Sequence, residues 1–235
     1  MFTLQQIVRN PSIVFRTVPL PVVLVIFFFA LVIHESAHAW MASRCGDNTA
    51  RYAGRITLNP LPHIDPIGTI IFPFLLILSG SPFVIGWAKP VPINPYNFHN
   101  PRVDLAKVGA SGPISNIGLA IVSSFLVWIF SYLPGGQAGL PMEGLRNSLL
   151  LILLFSVLVN LLLAVFNLIP IPPLDGSQIL SGLLPSHLAM KYEMIRPFGF
   201  IIIFFFLLTG LLWAIILPIV QFLYNLLFLW VGRGF

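Results

Sequence analysis

Apolar residues run through the chain in long blocks, and polar residues interrupt those blocks instead of alternating with them. Four stretches carry no charged side chain: between Arg16 and Glu35, Lys107 and Glu143, Arg146 and Asp175, and Arg196 and Arg233. Each is within or beyond the roughly 17–25 residues that a helix needs to cross a bilayer. The first span runs from about Pro19 to Arg44, the second opens with VGASGPISN and ends before Pro134, and the third covers about Asn147 to Asn167. The last stretch, 197–232, exceeds a single crossing and contains Pro218, so it reads as one long helix or two short ones. Residues 66–87 are uncharged but broken by Pro66, Pro73, Gly80, Pro82 and Gly86, which predicts a re-entrant hairpin rather than a crossing. The flanking segments 46–65 and 89–102 mix Gly, Pro and Asn with short runs around Arg55–Leu58 and Val91–Asn94, predicting interfacial turns and strands. The expected fold is an all-α polytopic membrane protein with about 4–6 transmembrane helices, short interfacial β-strands and a re-entrant hairpin.

Composition agrees. Of 235 residues, 57% are apolar and 8% charged, and the mean hydropathy is +0.96; soluble domains carry about 25% charged residues. No stretch between the apolar runs has the roughly 50 residues of an independent soluble domain, so residues 1–235 read as a single membrane domain. The net charge of +5 does not point to nucleic acid, because the twelve Lys and Arg are scattered singly. The lipid bilayer is the better partner for them. With residues 66–87 as a hairpin, Arg44, Arg51, Arg55, Lys89, Arg102, Lys107, Lys191 and Arg196 share one face, against Arg9, Arg16, Arg146 and Arg233 on the other. The positive-inside rule then makes the richer face cytoplasmic. Cys45 stands alone and receives no role, and the N-terminal run lacks a small-residue cleavage site, so it reads as uncleaved.

The chemistry lies in His34-Glu35-Ser36-Ala37-His38, an H-E-x-x-H pattern inside the first apolar run. Histidines four apart lie about 40° from each other on one helix face, so both imidazoles reach a single Zn²⁺. Glu35 sits beside such a metal rather than on it, placed to take a proton from water and hand it to a leaving amine. Unpaired, a carboxylate and two imidazoles at that depth would cost several kcal/mol. Catalytic zinc wants a third protein ligand and an open position. Asp175, in the helix-breaking segment Pro170-Ile171-Pro172-Pro173-Leu174-Asp175-Gly176, is the best candidate; it also reads as an N-cap for a short following helix. His63 competes as a ligand from a polar loop, while His99 and His187 look like surface residues.

Taken together, His34-Glu35-Ser36-Ala37-His38, Gly112-Pro113-Ile114-Ser115-Asn116, and Asn167 followed by Leu174-Asp175-Gly176 resemble the site-2 proteases, which are intramembrane zinc metalloproteases. The runs GRITLNPLPHIDPIGT and GWAKPVPINP look like the compact subgroup without a PDZ or nucleotide-sensing domain. The resemblance implies that His34, His38 and Asp175 bind one zinc, that Glu35 is the general base and that Asn167 serves the active site. Asn167 is then an oxyanion donor or a buried amide that pairs with freed backbone. Asn116 reads as a packing or supporting residue. The substrate implied is a transmembrane protein whose helix must unwind, with Arg55–Leu58 and Val91–Asn94 as edges for it, selected by the membrane domain itself or by a separate adaptor. A zinc-handling transporter and a non-catalytic, substrate-binding pseudoprotease are the other readings.

Overall fold

Away from water a backbone must satisfy its own N–H and C=O groups, and the uncharged runs accordingly fold as helices. The computed structural model describes residues 17–79, 86–132 and 141–229. Helix α1 (Leu20–Arg44) carries a proline in its first turn and an arginine in its last, the polarity that the helix dipole favours. A single turn, α2 (Thr49–Tyr52), a 3₁₀ turn (Leu61–His63) and a π-helical turn (Pro66–Ile71) lead to α3 (Phe72–Leu78). After a second 3₁₀ turn (Pro95–Asn97) come α4 (Pro101–Ser131), α5 (Pro141–Asn167), α6 (Asp175–Leu183) and α7 (Ser186–Glu193). A last 3₁₀ turn (Arg196–Phe198) precedes α8 (Gly199–Leu208) and α9 (Leu211–Phe228). Helices α1, α4, α5 and α9 are long and apolar enough to cross a membrane. The chain is an all-α polytopic membrane protein.

Helix α5 stands at the centre: 56% of its most apolar stretch is buried, against 17% for α1, 33% for α4 and 28% for α9. Leu154, Phe155, Leu158 and Leu161 pack with Ala30 of α1, Val127 of α4, and Ile216 and Tyr224 of α9. The outward positions are apolar too, among them Val25 and Phe29 on α1, Val122 and Phe125 on α4, and Phe222 on α9. Apolar exposure on this scale belongs against lipid.

The two ends of the segment 66–87 lie side by side. The π-turn and α3 together span only roughly 20 Å at 1.5 Å per residue, short of a 30 Å hydrocarbon core. At the base, the Trp87 N–H donates to the Gly68 carbonyl (3.1 Å), the Lys89 N–H to that of His63 (2.9 Å), and the Thr69 hydroxyl to that of Trp87 (2.7 Å). Residues 80–85 lie outside the described residues. The flanking segments are tied together as well. The buried Asp47 carboxylate accepts from the Asn94 N–H (2.7 Å) and the Asn97 amide (2.9 Å), and the His99 N–H donates to the Cys45 carbonyl (3.0 Å). Burial alone would push the Asp47 carboxyl up, but hydrogen bonds from Thr49, Asn94 and Asn97 hold it below its ordinary value.

One expectation changes, and one open alternative is decided. The strands at Arg55–Leu58 and Val91–Asn94 do not form; among the described residues there is no strand. Their backbone groups go to side chains instead: the Thr57 carbonyl accepts from Ser36 and meets His63, and the Asn94 N–H is taken by Asp47. The final apolar stretch divides into two helices, and the division falls at Gly210 (φ 75°), whereas Pro218 stays inside α9.

Candidate metal centre

His34 and His38 occupy successive turns of α1 and project from one face toward α4. The two helices meet at Gly112. A Cβ there would overlap Nε2 of His38 and lie 2.6 Å from Cε1 and 2.7 Å from Nε2 of His34, so only glycine leaves room for both rings. The third element is a break in the chain. Prolines 170, 172 and 173 cannot continue α5, and residues 168–174 turn through bonds from the Ile171 N–H to the Ile169 carbonyl (2.8 Å) and from the Leu174 N–H to that of Ile171 (3.0 Å). Gly176 then lies directly against the Leu168 and Ile169 carbonyls, where a Cβ would meet the latter at 2.6 Å. This tight return delivers Asp175 at the first turn of α6, which packs on α4.

Three atoms converge. His34 Nε2 and His38 Nε2 stand 3.0 and 3.2 Å from Asp175 Oδ2 and 3.0 Å from each other, and all three residues are buried. The opposite ring nitrogens face oxygen: His34 Nδ1 lies 2.6 Å from Asn116 Oδ1, and His38 Nδ1 lies 2.7 Å from the Val108 carbonyl, which also accepts from the Ser111 hydroxyl (2.7 Å). A carbonyl oxygen only accepts, so Nδ1 carries a proton in each ring, and Nε2 is the nitrogen left to ligate a metal. Asp175 Oδ2 has these two ring nitrogens close by and no other partner among the described residues. With both Nε2 atoms unprotonated, three lone pairs would face one another, and a cation among them removes that repulsion. Ligands about 2.0–2.1 Å from a tetrahedral zinc stand roughly 3.3 Å apart, and two imidazoles with one carboxylate leave a fourth position open. The donor set fits zinc.

The other residues singled out by the sequence fall as follows. Asp175 does not cap α6: the N-cap is Leu174, without a side-chain bond, and the carboxylate is turned to the histidines. Glu35 is half-buried next to His34 and contributes no atom to the convergence, while its neighbour Ser36 fastens α1 to the Thr57 carbonyl (2.6 Å). Asn167 is half-buried at the end of α5, and its amide donates to the Leu163 carbonyl (3.0 Å) rather than into the cluster. His63 is buried but bonded to the Thr57 carbonyl (3.1 Å), away from the three. His99 and His187 are exposed. Sequence reasoning missed the Val108 carbonyl and Asn160, which bonds Asn116 from α5. A backbone acceptor leaves no residue signature, and a lone Asn in an apolar helix does not name its partner.

Residues 140–210 match the profile of Peptidase family M50. The Putative zinc metalloprotease YwhC of Bacillus subtilis is 35% identical over 82% of this chain and 82% of its own length. The Putative zinc metalloprotease Rip2 of Mycolicibacterium smegmatis is 28% identical over 78% of this chain and 65% of its own. The Putative zinc metalloprotease MJ0611 of Methanocaldococcus jannaschii is 31% identical over 48% of this chain and 50% of its own. No solved structure matches.

Proposed function

Because the chain belongs to peptidase family M50, the site-2 proteases, we propose that it is a zinc-dependent endopeptidase that cuts membrane proteins within or near their transmembrane segments. The observation that carries this reading is the buried convergence of Asp175 on His34 and His38, which lie on a helix long and apolar enough to span a bilayer. The three side chains hold one zinc per chain. The ion supplies a Lewis acid that polarises a substrate carbonyl and makes water acidic enough to attack it near neutral pH. Glu35, one residue from a ligand but not itself a ligand, accepts the proton of the attacking water and returns it to the departing amine. The Nδ1 partners, Asn116 and the Val108 carbonyl, keep both rings in the ligating tautomer throughout. Asn167 has one hydrogen bond among the described residues, to Leu163, and keeps a second N–H with which to meet the oxygen of the scissile carbonyl as it gains charge.

A helical substrate shields its peptide bonds, so the bound segment is an unwound one, received where the chain is itself irregular between Leu168 and Leu174. The enzyme sits in the cell membrane with the zinc site nearer the cytoplasmic face, where the Lys and Arg of residues 44–65 and 88–107 gather. Glu35→Gln tests the division of roles: cleavage is lost and zinc content stays near that of the unaltered protein, whereas His34→Ala loses both. Zinc loss in Glu35→Gln equal to that in His34→Ala refutes the assignment.

A further inference from the structure

Behind His34 lies a buried amide relay that proteolysis by itself does not explain. The Asn116 amide nitrogen donates both its hydrogens, one to the Ala30 carbonyl (3.2 Å) and one to Asn160 Oδ1 (2.8 Å). The Asn160 nitrogen in turn donates to the Ser156 carbonyl (2.9 Å) and to the Ser156 hydroxyl (3.3 Å). Asn116 and Asn160 are both fully enclosed, 0% and 2% exposed, in the middle of apolar helices. Two primary amides at that depth are costly unless every donor and acceptor is matched.

The matching is directional. Both ends of the relay rest on backbone carbonyls, of Ala30 and Ser156, which can only accept. Turned over, Asn160 would aim its oxygen at the Ser156 carbonyl, and Asn116 would aim its own at the Ala30 carbonyl. Each amide therefore has one satisfactory orientation, and that orientation leaves Asn116 Oδ1 as the group facing His34 Nδ1 at 2.6 Å. An acceptor there requires a proton on Nδ1, and of the two neutral tautomers it selects the one with its lone pair on Nε2.

We infer that Asn160, which touches neither the imidazole nor any reacting atom, is a positioning residue: through Asn116 it fixes the tautomer in which His34 offers Nε2 to a metal. The inference rests on the zinc-binding reading above and adds to it a residue on α5, 44 positions from Asn116 along the chain.

The test uses the full chain purified in detergent, with Zn²⁺ as the probe. Affinity is measured by competition with a chelator, and the His34 tautomer is read in the metal-free protein by ¹⁵N NMR of labelled histidines, with the resonance identified through His34→Phe. In Asn160→Leu, zinc binding weakens about 10-fold, the lower end of the range for groups that support a ligand, and the Nδ1–H form of His34 gives way to a mixture. Asn160→Asp restores both, because a neutral carboxyl still accepts from Asn116 and still donates to the Ser156 carbonyl. Ser124→Ala, a buried serine of α4 outside the relay, changes neither. Asn160→Ala replaces Asn160→Leu if the latter is not monodisperse. Unaltered affinity and tautomer in the apolar variant overturn the inference, as does an equal loss in Asn160→Leu and Asn160→Asp, which would mark simple helix adhesion. Failure of the unaltered protein to bind zinc would instead overturn the proposed function, and the tautomer reading would still decide the relay.

Discussion

Replacing Gly112 by alanine puts one methyl group where α1 and α4 meet. The added Cβ would overlap Nε2 of His38 and lie 2.6–2.7 Å from two atoms of the His34 ring. Ordinary carbon contacts begin near 3.5 Å, so the rings must retreat by about 1 Å. Zinc–ligand distances tolerate only about 0.2 Å. The rings cannot yield freely, because Asn116 and the Val108 carbonyl hold their far sides at 2.6 and 2.7 Å. Overpacking of this kind costs about 1–3 kcal/mol, and since bound zinc requires the crowded arrangement, that cost weakens zinc affinity roughly 5- to 150-fold. Gly118→Ala is the control. It lies on the same helix with nothing within 4 Å of the new Cβ, so zinc affinity is unchanged and stability rises by up to about 1 kcal/mol from helix propensity. Chelator competition and thermal melting of both variants in one detergent measure the difference. Zinc affinity in Gly112→Ala within about twofold of the unaltered protein would refute the steric argument.

Other outcomes follow from the same geometry. Asp175→Ala removes the only carboxylate in the convergence and loses zinc, whereas His63→Ala, bonded elsewhere, keeps it; the reverse pattern in metal analysis would show that the third ligand is wrong. Asn167→Ala lowers kcat about 10²- to 10³-fold with zinc content intact, as loss of an oxyanion donor does; an unchanged kcat removes that role. In a Cys45→Ser background, cysteines replacing Asn59 and Tyr96 label from the same side of sealed vesicles and one replacing Tyr132 labels from the opposite side. Opposite labelling of the first two would show that residues 66–87 cross the membrane despite the joined base of that segment.

The parts of this architecture that local rules govern were legible in the sequence. Long uncharged runs can fold only as helices in lipid, and the spacing of His34 and His38 puts both on one face whatever surrounds them. Asp175 was legible because prolines must break α5 just before it, though an N-cap role read equally well until the structure turned the carboxylate away from the helix end. The strands at residues 55–58 and 91–94 failed because pattern alone cannot show that Ser36 and Asp47, distant in sequence, and the nearer His63 take the backbone groups a ladder would need. Asn116 read as a packing or supporting residue; its bond to His34 spans 82 positions, and a contact of that range is fixed by helix packing, not by its neighbours in the chain. The relay through Asn160 was illegible for the same reason.

The central claim, that this membrane domain uses zinc to cut a transmembrane segment, is tested most directly by incubating the purified full chain with a model transmembrane peptide and mapping products by mass spectrometry. The account predicts cleavage within or at the edge of the apolar span, abolished by a zinc chelator, restored by added Zn²⁺ and absent in Glu35→Gln. Zinc-loaded protein that leaves a panel of such peptides intact, or cleavage that survives either chelation or Glu35→Gln, would contradict it.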